Sequence, residues 1–167
     1  MTGNPVRRSV IEGDRARGRK TLGVPEDATL LLVFGGSLGA QHLNERVASL
    51  KGELLARENL YILHSTGADG FEKTERALAL TPEEAKRYRV QPYIDNMGDM
   101  LAAADLVLSR SGASSVAEIA ALAVPSVLVP YPARHGRPPD HECALPGRRR
   151  CRRAMRRYRY RCPSLCR

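Results

Sequence analysis

The chain has 167 residues and a mass of 18.4 kDa, room for one ordinary domain or for half of a two-domain protein at roughly 150 residues per domain. Hydrophobic residues make up 43% and charged residues 27%, the balance of a soluble globular chain, and no apolar run approaches the ~20 residues of a membrane span. Residues 1–8 carry basic side chains with no apolar segment behind them, so they do not read as a secretory signal.

A net charge of +9 suggests a nucleic-acid partner only if it is spread over the fold. It is not: residues 134–167 hold twelve arginines against Asp140 and Glu142, a net +10, while residues 1–133 net −1. Cys143, Cys151, Cys162 and Cys166 also lie in the second segment, so the body offers no disulfide or metal framework. The composition divides the chain into a body, 1–133, and a basic Cys/Arg-rich tail, 134–167.

In the body, short apolar runs rich in β-branched residues alternate with stretches of helical period, the pattern of parallel strands joined by crossover helices. A first strand is expected over Thr29–Phe34, between Asp27 and Gly35. A helix follows from about Ala40, with Leu43, Val47, Leu50 and Leu54 on one face. Residues 60–64 read as a second strand, 69–80 as an amphipathic helix ending near Pro82, and 89–93 as a short third strand. Then come a helix over 97–104, a strand over 105–108, a helix over 115–122, and a strand over Ser126–Val129 framed by Pro125 and Pro130. The fold class is α/β, a doubly wound, Rossmann-like parallel sheet.

Ligands of open parallel sheets gather beyond the carboxyl ends of the strands, so the residues after each strand carry most of the functional information. After the first strand comes Gly35-Gly36-Ser37-Leu38-Gly39-Ala40, where missing side chains admit a ligand to the backbone and the next helix offers free N–H groups to an anion. Such a turn also serves simply to pack a helix on a strand. After the second comes His64-Ser65-Thr66-Gly67, whose histidine reads as a structural hydrogen-bonder rather than a base. After the strand at 105–108 comes Ser109-Arg110-Ser111-Gly112-Ala113-Ser114-Ser115, with Glu118 beyond. A guanidinium, hydroxyls and Gly112 suit a diphosphate. Glu118 has two readings: Ser115-Val116-Ala117-Glu118 matches a capping box, and a carboxylate at such a helix start also accepts the hydroxyls of a ribose.

Together with Thr2-Gly3-Asn4-Pro5-Val6-Arg7 and Tyr93-Ile94-Asp95-Asn96-Met97, these motifs resemble, in order, the MurG-type transferases. That family moves N-acetylglucosamine from UDP-N-acetylglucosamine to undecaprenyl-diphospho-muramoylpentapeptide, lipid I to lipid II, in peptidoglycan synthesis. The resemblance spans residues 2–133 and implies the C-terminal, donor-binding half of a GT-B glycosyltransferase, without its acceptor half. It implies that Arg7 and Ser37 lie by the donor diphosphate, that Ile94 presents backbone groups to uracil, and that Met97 walls that pocket. Arg110 would support the donor site, Ala113, Ser114 and Ser115 would bring donors to phosphates and sugar, and Glu118 would hold the ribose. Gly35, Gly36, Gly39 and Gly112 would form the phosphate loops. The implied reaction is an inverting transfer with no cofactor, no metal and no catalytic base in this chain, on the inner face of the cytoplasmic membrane.

The resemblance stops after Ala133. Family members continue with an Asp-His-Gln-x-x-Asn-Ala motif, whereas this chain has Arg134-His135-Gly136-Arg137 and an arginine-rich tail without apolar period. A permissible set of GC-rich codons for residues 134–149, read one base later, spells A-T-A-D-H-Q-T-M-N-A-R-Y-L-A-D-A, which restores the motif. A single-base insertion near codon 134 is therefore the expected origin of the tail, which reads as out-of-frame and without a packed core. The chain alone is expected to be inactive. Two alternatives differ in kind: another UDP-sugar GT-B transferase acting on a lipid, and a basic module binding nucleic acid or membrane through the tail, with nucleic acid the weaker partner.

Overall fold

The chain is described by a computed structural model over residues 4–35 and 40–130. In chain order the elements are α1 (Arg8–Ile11), α2 (Arg15–Leu22), β1 (Thr29–Phe34), α3 (Gln41–Ser49), α4 (Lys51–Leu55), β2 (Leu60–Ser65) and α5 (Ala68–Leu78). They continue with α6 (Pro82–Arg87), β3 (Tyr88–Gln91), α7 (Met97–Ala103), β4 (Leu106–Arg110), α8 (Ala113–Ala121) and β5 (Ser126–Val129). All strand pairs are parallel, in the order β3-β2-β1-β4-β5. The chain steps outward from β1 through β2 to β3, then returns to pair β4 on the other flank of β1. This reversal opens a crevice beyond the carboxyl ends of β1 and β4, where open α/β sheets hold ligands.

Because side chains alternate across a strand, β1 feeds both layers of the core. Leu30, Leu32 and Phe34 pack with Leu22 of α2, Leu101 of α7 and Ile119 of α8. Leu31 and Val33 pack with Leu43 and Val47 of α3, Leu78 of α5 and Tyr88 of β3. Burial on both faces explains why β1 is an unbroken apolar run rather than an alternating one.

The segment before β1, for which no element was expected, packs tightly on α7. Asp14 caps α2, its carboxylate accepting from the Arg17 amide at 2.6 Å. A Cβ on Gly13 would stand 2.2 Å from the Gly98 carbonyl oxygen, and one on Gly98 2.2 Å from the Ser9 carbonyl oxygen. Asp99, fully buried on α7, completes the contact: Arg17 donates from Nε and Nη2 at 2.5 Å each, the Asp14 amide donates at 2.8 Å, and Asn96 donates as well. The Arg17 guanidinium, with smaller help from the Asp14 and Asn96 hydrogen bonds, holds the Asp99 carboxyl down at about 2 against the opposing effect of burial.

Several boundaries differ from expectation for identifiable reasons. The helix from Ala40 breaks at Leu50, which ends α3 and begins α4 with φ −92° and ψ 6°, so Leu43 and Val47 are buried while Leu50 is 42% exposed. A helix over 82–87 went unforeseen although Thr81 and Glu84 form a complete capping box. The third strand is Tyr88–Gln91 rather than 89–93, because Tyr88 pairs with Ile62 and the following Pro92 has no N–H to give the ladder. Finally, α8 starts at Ala113 with Gly112 as its N-cap, which makes Ser115 the third helical residue and removes the capping-box reading of Ser115 and Glu118. The tail 134–167 and the expectations made for it lie outside the described residues.

Candidate functional site

Phe34 of β1 lies beside Ser109 of β4, so the chain leaves the sheet at Gly35 and at Ser111–Gly112 in neighbouring positions. Gly35 is buried; Gly36, Ser37 and Gly39 lie outside the described residues. On the β4 side the Ser111 amide is spent on the Val129 carbonyl, and Gly112 opens α8 without any side-chain cap. The first N–H groups of a helix have no partner within it, so Ala113, Ser114 and Ser115 present theirs at the crevice, with the positive end of the helix dipole behind them. Among the described residues a Cβ on Gly112 would meet only Ser115 Oγ, at 3.9 Å, and its φ is −71°. Nothing in the packing of the described residues demands glycine there.

Glu118 stands one turn into α8, on the buried face with Ser115 and Ile119. Its partner is Arg7, the N-cap residue of α1. Arg7 Nε donates to Glu118 Oε1 at 3.1 Å and Nη2 approaches the same oxygen at 3.0 Å, with the two side chains 60% and 12% exposed. The Arg7 guanidinium, expected beside a diphosphate, is thus engaged with the carboxylate expected to hold a ribose.

Arg110 is buried, its Nη1 donating to the Pro130 carbonyl at 2.7 Å. Its charge therefore also ties the end of β4 to the end of β5. Ile94 is buried within the core layer of α7 and α8, and Met97, the first residue of α7, packs partly buried against that layer. Ala113 and Ser114 are exposed and Ser115 is buried. The structure brings Arg7 and Glu118 into contact and sets Gly112–Ser115 on the same helix start.

His64 lies elsewhere, fully buried between β3 and α3. Asn44 donates from Nδ2 to the Thr66 carbonyl at 2.9 Å, so its Oδ1 accepts from His64 Nε2–H at 3.1 Å, and the Tyr88 hydroxyl donates to Nδ1 at 3.0 Å. Burial pushes the imidazole down to about 4 and the Tyr88 phenol upward. A neutral imidazole with both nitrogens occupied is a structural group, as the lone histidine suggested. Sequence reasoning passed over Asn44, although an amide next to Leu43 on the apolar face of a helix is a readable sign of a buried hydrogen bond. It also passed over Asp99 and Asp105; the latter accepts from the Leu30 amide, Arg15 and Arg19 at the opposite end of the sheet.

Among the described residues no group of three or more His, Cys, Asp or Glu side chains is placed to hold a metal ion, and no helix is long and apolar enough to cross a membrane.

The reversal of strand order, with a helix start and a carboxylate beyond the carboxyl ends of β1 and β4, defines a doubly wound α/β domain. The chain belongs to glycosyltransferase family 28: the model of that family's C-terminal domain matches residues 30–139, continuing past Ala133. A UDP-N-acetylglucosamine–N-acetylmuramyl-(pentapeptide) pyrophosphoryl-undecaprenol N-acetylglucosamine transferase of Carboxydothermus hydrogenoformans is 44% identical over 133 residues, covering 78% of this chain and 35% of that protein. The transferase of the same name from Acetivibrio thermocellus is 38% identical over 132 residues, covering 79% and 35%. Among solved structures, Acinetobacter baumannii MurG superposes with a TM-score of 0.58 at 31% identity, over 81% of this chain and 38% of that one. The lipopolysaccharide glycosyltransferase WaaG, at 20% identity and a TM-score of 0.52, shares the fold. The fold is thus that of the C-terminal domain of GT-B glycosyltransferases, and the chain spans little more than a third of the length of these relatives.

Proposed function

We propose that this chain carries the donor-binding half of a UDP-N-acetylglucosamine-dependent transferase that converts lipid I to lipid II. The observation that carries the reading is the carboxyl edge of β4, where the uncapped start of α8 at Gly112 and the carboxylate of Glu118 share one helix. The amides of Ala113, Ser114 and Ser115 suit the donor diphosphate, Glu118 suits the ribose hydroxyls, and the backbone of Ile94 with Met97 beside it suits the uracil. Charge accumulating on the departing diphosphate is stabilised by the helix start. The acceptor, its lipid and the general base belong on this reading to a second half, so the 167-residue chain alone forms no lipid-linked disaccharide. Attachment to the inner face of the cytoplasmic membrane belongs to the whole transferase. Family membership favours this reading over a tail-driven nucleic-acid or membrane module.

Calorimetric titration of UDP into the full chain tests it. Gly112→Ala is the discriminating variant: among the described residues it meets nothing nearer than 3.9 Å, so melting is expected to be unchanged, while a methyl group at the helix start obstructs the diphosphate. Binding by the wild-type chain, weakened about tenfold or more in Gly112→Ala and in Glu118→Ala, is the expected result, tenfold corresponding to about 1.4 kcal/mol. A folded wild-type chain that does not bind UDP removes the proposal.

A further inference from the structure

Arg7 is where the geometry goes beyond the expected roles. Its Nε donates to Glu118 Oε1 at 3.1 Å and Nη2 stands 3.0 Å from the same oxygen, so the pair engages Oε1 rather than forming a parallel fork on both oxygens. Glu118 as a residue is 9% exposed, and among the described residues its Oε2 has no hydrogen-bond partner, yet it is not among the orphaned buried atoms. Among the described residues one oxygen of the carboxylate is engaged and the other is left open. A glutamate has three side-chain torsions to fix, and a guanidinium holding one oxygen from the entry of α1 removes most of that freedom.

We propose that Arg7 is a positioning residue for ribose recognition: by holding Glu118 Oε1 it presents Oε2 to the vicinal hydroxyls of a nucleoside-diphosphate donor. The inference rests on the donor-site reading above and assigns Arg7 a role in sugar specificity rather than in phosphate binding. The physical contrast between the two roles is sharp. A guanidinium on the diphosphate adds affinity for every nucleoside diphosphate, whereas one that aims a carboxylate adds affinity only where hydroxyls are present to meet it. Arg7 is also well suited to substitution, since its side chain is mostly exposed and α1 contributes only Val10 to the core.

The test is calorimetric titration of UDP and of 2′,3′-dideoxy-UDP into the full chain, as wild type, Arg7→Gln, Glu118→Gln and the double variant. Melting followed by circular dichroism confirms that each is folded. The expected result is an Arg7→Gln loss of about tenfold for UDP, the scale of one charge-assisted hydrogen bond, with affinity for the dideoxy analogue unchanged. In the Glu118→Gln background, Arg7→Gln costs nothing further. Equal losses for both nucleotides, or an undiminished loss in the Glu118→Gln background, place Arg7 on the diphosphate and overturn the inference while the donor site stands. A folded wild-type chain that binds neither nucleotide overturns the donor-site reading and this inference with it.

Discussion

At the scale of single residues, the buried polar groups divide by what they would lose if their partners were taken away. His64 is surrounded by Tyr88 and Asn44 and kept neutral by burial, so folding excludes a proton that the unfolded chain accepts near pH 6.5. Since the folded value is about 4, stability is complete above pH 6.5 and declines as the pH falls from there toward 4. Between pH 6.5 and pH 5 this amounts to about 2 kcal/mol. His64→Gln keeps an amide able to donate to Asn44 but cannot protonate. Urea unfolding at pH 7 and pH 5 is expected to show a smaller difference in the variant than in the wild type. Asp99 and Asp105 lie on the other side of this window: both carboxyls are held low, so their contribution is lost only below about pH 4.

At the scale of elements, glycine placement decides how closely helices approach. Gly98 is the second residue of α7, where the backbone of α1 passes, and a Cβ there would overlap the Ser9 carbonyl at 2.2 Å. Gly98→Ala must push α1 away and is expected to destabilise by about 1–3 kcal/mol. Gly52, inside α4 with nothing among the described residues within 4 Å, gives the opposite sign: Gly52→Ala is expected to stabilise by about 0.5–1 kcal/mol. Midpoints of urea unfolding for the two variants check both directions. The same scale explains the misjudged helix over α3 and α4. Leu43, Val47, Leu50 and Leu54 have helical spacing, but the backbone turns at Leu50, and periodicity does not register a change of direction between two short helices.

At the scale of the whole molecule, the described residues cover the sheet unevenly. One face of β1, β2 and β3 is roofed by α3 and α5, while on that same face Leu106 of β4 is 36% exposed and Val127 of β5 is 52% exposed. Among the described residues β5 is an edge strand, and an exposed apolar edge is a site of self-association. Val127→Thr keeps the β-branched shape and adds a hydroxyl. It is expected to lower self-association of the full chain in light scattering at high concentration, with no loss of melting temperature.

Local sequence determined the strands. β1 and β5 fall where they were expected, because apolar β-branched runs bounded by glycine or proline have few other ways to bury themselves and satisfy their hydrogen bonds. Chain order likewise placed glycine-bearing turns directly after β1 and β4. What Arg7, Asn44 and Asp99 do was decided only in three dimensions. Each meets a partner far away in the sequence: Arg7 meets Glu118, Asn44 meets His64, and Asp99 meets Arg17. A buried ion pair or hydrogen bond has no period along the chain; it exists because two elements, folded for apolar reasons of their own, bring a donor within reach of an acceptor.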